Sequence, residues 1–272
     1  MNLFKQKLLV KISLILIILL FSSCHSYLAN SPANLNDIMD GKYTIIDLTY
    51  PLNQDNAYWP GPSYSSFKYK TVATLENDGV FSGVYSTPEH LGTHIDAPNH
   101  FESNQPSVDK LKLENLIGPA SVIDISEHVE HNADYELTIE DIILWEELNG
   151  SVQGGSIVLL NTGWWKKWNN YDKYKNADKV GNLHFPGFSR DAARFLVEKR
   201  DVKGIGIDTL SADNGMSSDF AVHQILNSAG KYILENVANL DKLPPKGATI
   251  IIAPIKIEGG SGGQARIWAI LP

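Results

Sequence analysis

Three histidines and one aspartate lie within the stretch EHLGTHIDAPNHF, residues 89–101. The whole chain of 272 residues has only eight histidines, so this window is unusually rich in them. Imidazole nitrogens and carboxylate oxygens together are suitable ligands for zinc, and also for manganese or iron. Three ligands from one segment would leave coordination positions open for water, and the stretch offers no cysteine. The pattern therefore favours a catalytic metal site over a structural one.

The backbone of this stretch is predicted to be extended. A helix would place His90 and His94 on one face, but Gly92, Thr93 and Pro98 are poor helix formers. An extended or looping chain is therefore favoured, and in an extended chain alternate residues point the same way.

Three side chains of the stretch then converge. His90, His94 and Asp96 have the same parity, so an extended chain aims them at one point in space. His100 shares that parity, but Pro98 can turn it aside, which would leave His100 beside the metal. The alternative is that these histidines are solvated or hydrogen-bonded loop residues. That is the usual role of a lone histidine, but the whole group favours a metal site.

Six short runs rich in valine and isoleucine are predicted to form buried strands. They are YTIIDLT (43–49), ASVIDIS (120–126), SIVLLNT (156–162), KGIGIDT (203–209), ATIIIAPI (248–255) and ARIWAIL (265–271). Three segments between them have helical spacing of apolar residues, namely 138–148, 189–200 and 218–230. Mixed strands and helices without a break in composition predict one α/β domain that positions the histidine-rich stretch.

The segment 163–185 has no regular period and contains three tryptophans and two tyrosines. We predict a long excursion from the strand that ends at Thr162. Such an excursion is either a lid or binding element, or a surface loop whose aromatic side chains pack on the body of the domain.

The first residues have the layout of an export signal. Residues 1–23 contain three lysines, an apolar run from Ile12 to Phe21 and then small residues. The run is shorter than the about 20 residues of a membrane-spanning helix. We expect a secretory signal peptide, with a short N-terminal membrane anchor as the alternative.

Cys24 is the only cysteine in the chain, so it has no partner for an internal disulfide. The residues before it resemble a bacterial lipobox, in which this cysteine becomes the acylated new N-terminus. We expect an exported lipoprotein, anchored in the cell envelope through Cys24. Ordinary cleavage to a free periplasmic protein is the alternative. Residues 24–37 suit a tether, which leaves 38–272 as a single domain.

Net charge excludes one class of partner. The chain has 23 basic and 31 acidic residues, and without residues 1–23 its formal charge is −11. Such a surface repels nucleic acid, and no basic cluster counters that repulsion. We expect no nucleic-acid partner, and contact with a membrane only through the N-terminal lipid.

The stretch HLGTHIDAPNHF (90–101) resembles the HxGTHxDxPxHF signature of the metal-dependent cyclase family, which includes bacterial kynurenine formamidases and isatin hydrolases. Further segments resemble other parts of that family, in the expected order. They are DLTYPLNQDNAYWPG (47–61), SIVLLNTGW (156–164), HFPGFSRDAARFL (184–196), GIDTLSAD (206–213), AVHQILNSAGKYILENV (221–237) and IEGGSGGQARIWAI (257–270).

The resemblance implies a divalent metal, zinc or alternatively manganese, as one or two ions. It implies a ligand set in which the aspartate bridges if two ions bind. Two members of that set would otherwise be interpreted as a histidine at the edge of the core and a surface charge, namely His223 and Glu235. The implied ligands are His90, His94, Asp96, His223 and Glu235.

The resemblance also implies a fold and two further roles. The fold is a single swivelling β/β/α domain with a mixed central sheet and flanking helices, in a homo-oligomer. His100 would be the general acid/base, and Trp59 would line the substrate pocket, although a buried packing role for Trp59 is equally expected.

The implied activity is metal-dependent hydrolysis of a small amide, with a metal-activated water and His100 moving the proton. The substrate would be an N-formyl aryl amide of the N-formylkynurenine type or a cyclic amide such as isatin. Alternatives are a non-catalytic lipoprotein that binds a small aromatic ligand through the metal, and a lactonase or ring-closing member of the family. The export signal and the segment 163–185 depart from the pattern of the formamidases.

Two other stretches allow two interpretations each. Asp208 and Asp213 could orient metal ligands, but shaping the turn after a strand is favoured. The glycine-rich run 259–263 could let backbone amides approach a substrate carbonyl, or it could form a flexible hairpin turn.

Overall fold

The structure is a computed structural model that describes residues 35–271. Within it, residues Ile45–Leu271 form one compact unit. The expected signal peptide 1–23, Cys24 and most of the expected tether 24–37 lie outside the described residues. Among the helices that are described, none has both the length and the apolar character needed to cross a membrane.

The described part of the chain forms strands β1 to β12 and helices α1 to α7. The strands are β1 Thr44–Asp47, β2 Lys68–Ala73, β3 Ser82–Ser86, β4 His94–Asp96, β5 Ile117–Asp124, β6 Glu136–Leu137, β7 Ile157–Asn161, β8 Gly187–Phe188, β9 Gly204–Ile207, β10 Tyr232–Glu235, β11 Lys246–Pro254 and β12 Gly262–Leu271. The helices are α1 Leu35–Met39, α2 Leu75–Asp78, α3 Ser126–His131, α4 Ile139–Asn149, α5 Tyr171–Lys175, α6 Arg190–Arg200 and α7 Ala221–Ser228. All six predicted strands and all three predicted helices are present, so the α/β class is confirmed.

The central sheet is mixed and closes on itself. Its order is β1-β12-β11-β5-β7-β9-β10-β4, and β12 also pairs with β4. Strands β5, β7, β9 and β10 are parallel neighbours, whereas β11, β12 and β4 pair antiparallel with theirs. Closure through the β12–β4 pairing places the histidine-rich stretch directly beside the glycine-rich run near the end of the chain.

Two hydrophobic cores lie on the two faces of this sheet. Alternation along β7 shows the division, because Val158 and Leu160 belong to one core and Ile157 and Leu159 to the other. The first core also contains the apolar faces of α4, α6 and α7, and the second contains the inner residues of β11 and β12. Successive strand residues point to opposite faces, so a buried strand serves both cores.

Two of the helices that cover the first core, α4 and α6, begin at well-formed caps. Thr138 and Asp141 form a reciprocal capping box at the start of α4. The hydroxyl of Ser189 accepts from the Ala192 amide at the start of α6. Thr138 and Ser189 are the first residues of the predicted helical segments 138–148 and 189–200.

The aromatic excursion 163–185 packs on the body of the domain. It forms a 3-10 turn at Trp164–Lys167 and then helix α5. Trp164 and Tyr174 are completely buried, and the indole N–H of Trp164 donates to the Tyr174 carbonyl at 2.7 Å. Of the two interpretations, the structure therefore supports packing rather than a lid.

Candidate metal centre

Three elements bring the candidate ligands together. His94 and Asp96 lie at the two ends of the short strand β4, and β10 pairs with β4 so that Glu235 is directly opposite His94. His223 lies in the first turn of α7, on the face of the sheet that the helices cover. The sequence positions are separated by up to 141 residues, but the pairing of β4 with β10 makes two of them cross-strand neighbours.

The bend before β4 depends on a glycine. Gly92 has a φ of 64°, in the left-handed region that β-carbon-bearing residues avoid, and a Cβ there would approach Leu52 Cδ2 to 3.2 Å. This conformation turns the Gly92 carbonyl toward His94, whose Nδ1 donates to it at 2.8 Å. The Asn236 amide donates to the same carbonyl at 3.0 Å. Gly92 therefore fixes the ring orientation of His94 through its backbone.

The other nitrogen of His94 is buried and has no hydrogen-bond partner among the described residues. Nε2 lies 3.2 Å from Asp96 Oδ1 and 3.4 Å from Glu235 Oε2, without hydrogen-bond geometry to either. Because Nδ1 donates its hydrogen to Gly92, a neutral His94 has its lone pair on Nε2. A buried lone pair between two carboxylates is the arrangement that a metal ligand requires.

His223 is held in a similar way by Asp213. Nδ1 of His223 lies 2.6 Å from Asp213 Oδ2, and the backbone amides of Val222 and His223 donate to the same carboxylate at 2.9 and 3.1 Å. Nε2 of His223 lies 3.2 Å from Asp96 Oδ2 and from Glu235 Oε1. The sequence favoured a role for Asp213 in shaping the turn after a strand. The structure shows that Asp213 also orients a candidate ligand, His223.

His90 completes the inner group. Its Nδ1 lies 2.6 Å from Asp96 Oδ1, and its Nε2 lies 2.9 Å from the hydroxyl oxygen of Ser261. Ser261 belongs to the glycine-rich run, which is therefore not merely a flexible turn. A Cβ at Gly262 would lie 2.6 Å from His90 Cε1, so the absence of a side chain there lets the strand approach the imidazole closely.

The electrostatics of the centre demand positive charge. Burial raises the pKa of Asp96, but the imidazoles of His90 and His94 lower it by more than burial raises it. The net result is a pKa well below the usual value. Burial and the nearby Asp96 charge raise the pKa of Glu235. Burial lowers the pKa of His94, but Asp96 and Glu235 raise it, to about 9. Burial also lowers the pKa of His223, but its carboxylate neighbours raise it well above the usual value. Protons on the imidazoles or a divalent cation can supply the required charge.

The residues present fit a divalent cation. Ligand atoms of His90, His94 and Asp96 lie within 4.8 Å of one another, and so do those of Asp96, His100 and His223. Asp96 belongs to both groups, and its Oδ1 faces His90 and His94 while its Oδ2 faces His223, so this carboxylate would be shared if two ions bind. Nitrogen and oxygen donors without sulfur match zinc or manganese.

His100 lies beside these ligands on a 3-10 turn, Pro98–His100, that follows β4. Its ring stacks on His90 at 3.9 Å between centroids with an angle of 23° between the planes, and it meets Phe101 edge-on at 4.7 Å. Burial lowers the pKa of His100 to about 3, so the ring is neutral at neutral pH. A neutral imidazole can accept a proton. Alternatively, the imidazole of His100 could bind a metal ion together with Asp96 and His223.

A pocket of about 260 Å³ opens over this cluster. Its floor is polar and is made by the histidines, Glu235, Ser211 and Asn236, whereas its walls are largely aromatic. The structure places Trp59 in that wall, in edge-on contact with Phe220 at 5.6 Å. The aromatic and apolar wall residues are Tyr58, Trp59, Tyr64, Phe101, Leu210 and Phe220.

Phe220 adopts a strained backbone conformation at the pocket wall. Its φ is 49°, which is rare for a bulky residue and costs on the order of 1–3 kcal/mol. The Ser217 hydroxyl accepts from the Phe220 amide at 3.1 Å and the Phe220 carbonyl accepts from Gln224. The strain places the ring of Phe220 against Trp59, Phe101 and His223.

Several site residues escape sequence reasoning. Ser211 and Asn236 lie in the segments 206–213 and 221–237, and Phe220 lies in the predicted helical segment 218–230, but the sequence assigns none of the three a role and each reaches the pocket only through the fold. Glu89 and Ser261 lie within stretches that the sequence did single out, but their mutual contact depends on strand closure. None of the residues 163–185, all of which the structure describes, lines this pocket. Tyr171 from this segment nevertheless supports the wall, since its ring stacks on Tyr58 at 5.1 Å.

Comparisons with known proteins agree with this architecture. The family model Cyclase, with the description "Putative cyclase", matches residues 46–214. An isatin hydrolase of Roseibium aggregatum is 38% identical over 250 residues, 86% of this chain and 94% of that protein. A kynurenine formamidase of Bacillus mycoides is 33% identical over 222 residues, 81% of this chain and 94% of that protein.

Solved structures show the same similarity. Isatin hydrolase A from Ralstonia solanacearum has a TM-score of 0.84 and 32% identity, covering 89% of this chain and 99% of its own. An isatin hydrolase bound to the product analogue thioisatinate has a TM-score of 0.82 and 30% identity, covering 92% of this chain and 98% of its own. The chain therefore belongs to the cyclase family, and it is a metal-dependent amide hydrolase.

Proposed function

We propose that this enzyme hydrolyses the ring amide of a small aromatic cyclic amide such as isatin, with N-formyl aryl amides as poorer substrates. The observation that carries the proposal is the aromatic wall built directly over a buried cluster of histidines and carboxylates. Similarity to the isatin hydrolases, one of them bound to thioisatinate, supports a flat bicyclic substrate.

The proposed metal is zinc, with manganese as the alternative. His90, His94 and Asp96 hold it from one segment, and His223 and Glu235 complete the site from α7 and β10. A bound divalent cation supplies Lewis-acid chemistry, polarising a carbonyl oxygen and lowering the pKa of a water. We favour one ion, because a second ion on Asp96, His100 and His223 would occupy the proposed proton carrier.

His100 is the proposed general acid/base. Its neutral ring can accept a proton as water attacks the amide carbon and forms the new C–O bond. It then delivers that proton to the ring nitrogen as the C–N bond breaks. Stacking on His90 and the edge contact with Phe101 keep the imidazole in one orientation at the pocket floor.

The aromatic wall orients the substrate ring. Phe220 contacts both Trp59 and Phe101 at the pocket, and offset or edge-on packing of an aryl ring against these side chains favours a flat ligand. Such a wall places the amide of a fused ring above the polar floor. A flexible N-formyl aryl amide would lose more conformational freedom in the same pocket.

A substrate panel on purified protein of known zinc content tests the proposal. We expect multiple turnovers of isatin, with a higher kcat/KM than for an N-formyl aryl amide or an aryl lactone, and loss of turnover with a chelator. Binding of isatin in a one-to-one ratio without turnover would instead support a metal-dependent binding protein. A higher kcat/KM for the lactone would identify hydrolysis of cyclic esters as the activity.

We also propose a homo-oligomer that buries the ribbon of β2, α2 and β3. The ribbon is a separate two-stranded sheet, and its large apolar side chains are more than half exposed. These side chains are Tyr69, Val72, Leu75, Val80, Phe81, Val84 and Tyr85. Exposed apolar surface of this kind is typical of an interface.

The charges of the ribbon fit a two-fold arrangement with a second copy. Lys68 and Lys70 lie at its base, while Glu76 and Asp78 lie at its tip. An antiparallel pair of ribbons would bring each base against the other tip. Light scattering should show an oligomer that Val84→Asp dissociates, whereas Leu148→Asp, at an exposed position on α4, leaves it intact. A monomeric wild type would refute the assembly.

The proposed location is the bacterial cell envelope, with a lipid on Cys24 as the only membrane attachment. The lipobox-like residues before Cys24 support this proposal. Cys24→Ser should move the enzyme from the membrane fraction to the soluble fraction of an expressing bacterium. Retention of the variant in the membrane would point to an uncleaved apolar segment.

A further inference from the structure

The outer nitrogen of His90 contacts Ser261, a residue distant in sequence, and Ser261 in turn contacts Glu89, the residue directly before His90. Nε2 of His90 lies 2.9 Å from Ser261 Oγ, and Ser261 Oγ lies 2.6 Å from Glu89 Oε2. The backbone amide of Ser261 donates to the same carboxylate oxygen at 3.0 Å. A carboxylate, a hydroxyl and an imidazole are therefore joined in series, and the series ends on the nitrogen opposite the one that faces Asp96.

The number of available hydrogens decides the direction of these bonds. A carboxylate only accepts, and a serine hydroxyl carries a single hydrogen. Because Glu89 accepts that hydrogen, the oxygen of Ser261 can only accept in its contact with His90. The hydrogen between Ser261 and His90 must then be carried by Nε2 of His90.

The other two histidines of the centre need no such second residue. Nδ1 of His94 faces the Gly92 carbonyl and Nδ1 of His223 faces Asp213, and both of these partners can only accept. A hydroxyl can either donate or accept, so Ser261 alone would leave the hydrogen of His90 free to move to Nδ1. Glu89 removes that freedom.

We propose that Glu89 and Ser261 are positioning residues that keep the lone pair of His90 on Nδ1 and so prepare it for a divalent cation. Nδ1 lies 2.6 Å from Asp96 Oδ1, so a hydrogen on Nδ1 would donate to Asp96 and occupy the direction in which both groups bind metal. The inference rests on the proposed function in taking His90 as a ligand.

A double-mutant cycle read out as zinc affinity tests the series. The apo forms of full-length variants are titrated with Zn²⁺ against a chromogenic chelator, without use of activity. Ser261→Ala should weaken zinc binding by about 10- to 100-fold. Glu89→Ala should weaken it by a smaller factor, and the double variant should be no weaker than Ser261→Ala, because Glu89 acts only through Ser261.

Two further variants control this cycle. Glu89→Gln should stay near the wild type, since an amide oxygen still accepts from the hydroxyl. Ser107→Ala removes another hydroxyl–carboxylate bond, to Asp109, beside the same glycine-rich turn, but it does not touch His90. Zinc affinity should therefore be unchanged in Ser107→Ala. If Ser261→Ala does not fold, the contrast between Glu89→Ala and Glu89→Gln decides alone.

Nitrogen-15 spectra of the histidine rings give a readout that a merely structural role would not change. In the apo forms, the wild type should carry the hydrogen of His90 on Nε2, whereas Glu89→Ala should show a mixture of tautomers. A hydrogen on Nδ1 in the wild type, equal zinc affinity in Ser261→Ala, or additive losses in the double variant would each overturn the positioning role. If the wild type binds no zinc, the proposed metal-dependent function is refuted, whatever the role of Glu89 and Ser261.

Discussion

Each candidate ligand histidine has one nitrogen that faces the carboxylates and one that meets an acceptor. For His94 the acceptor is a neighbouring carbonyl two residues away, so local backbone geometry is enough. For His223 it is Asp213, ten residues earlier in the chain, which also accepts from the first amides of the helix. Sequence can predict the ligand types, but these acceptors depend on how loops return to the site.

Replacing His94 with alanine should remove metal and activity together. The variant loses the one buried side-chain nitrogen that has no hydrogen-bond partner among the described residues, and it leaves Asp96 and Glu235 facing each other. Metal content by mass spectrometry and turnover of isatin measure the two losses. His131→Ala, at an exposed position on α3, should retain both. An active, metal-loaded His94→Ala would refute this ligand.

Replacing His100 with alanine should separate metal binding from catalysis. The variant keeps the other nitrogen and oxygen donors, so metal content should remain near the wild type, while turnover should fall roughly 10²-fold or more. Metal content and kcat are measured on the same preparation. A loss of half the bound metal would assign His100 to a second ion instead of proton transfer.

At the scale of elements, the sequence predicts the long buried strands and the capped helices, because their apolar spacing and end signals are local. It does not predict the ribbon of β2 and β3, since those strands lack a buried face and so lack alternation. It also does not predict β4 as a strand of three residues flanked by β10 and β12. Such a short strand exists only because its two neighbours provide the pairing.

The packing of α4 against α6 includes one well-formed ion pair. Nε and Nη2 of Arg200 donate to Oε1 and Oε2 of Glu146, each at 2.6 Å. The Val152 amide donates to the same carboxylate at 2.8 Å. The Arg200 guanidinium lowers the pKa of Glu146. The pair therefore joins the last turn of α4 to the last residue of α6.

Glu146→Gln should lower the free energy of unfolding by about 1–3 kcal/mol at pH 7. The folded-state pKa of Glu146 is below its unfolded value, so the stabilisation is complete above about pH 4.3 and is lost as the pH falls through the folded pKa. Urea unfolding at pH 7 and pH 3 should show the difference from wild type shrinking at the lower pH. Asp191→Asn breaks an exposed pair with Arg194 and should cost at most about 0.5 kcal/mol. A difference for Glu146→Gln that does not change with pH would exclude ionisation of Glu146 as its cause.

At the scale of the whole molecule, the candidate metal centre joins three parts of the fold. Candidate ligands from β4, β10 and α7 meet there, so a cation that binds only the folded chain should stabilise all of it. At a free metal concentration about 1,000 times Kd, the gain is about 4 kcal/mol, or on the order of 10 °C in Tm for a chain of this size. Calorimetry with zinc and with excess chelator measures the shift. Equal Tm values would mean that the centre contributes no metal-linked stability.

The pairing of β12 with β4 also determines when the centre can form during synthesis. Gly262 and Gly263 pair with Asp96 and Ile95, and Ser261 contacts His90. The segment near residue 90 therefore cannot make these contacts until residues more than 160 positions later have been synthesised. Synthesis must therefore proceed at least through Gly263 before this site can close. For an exported chain, this would delay metal acquisition until after transport. The metal supply of the destination compartment, rather than that of the cytoplasm, would then decide which cation the enzyme carries.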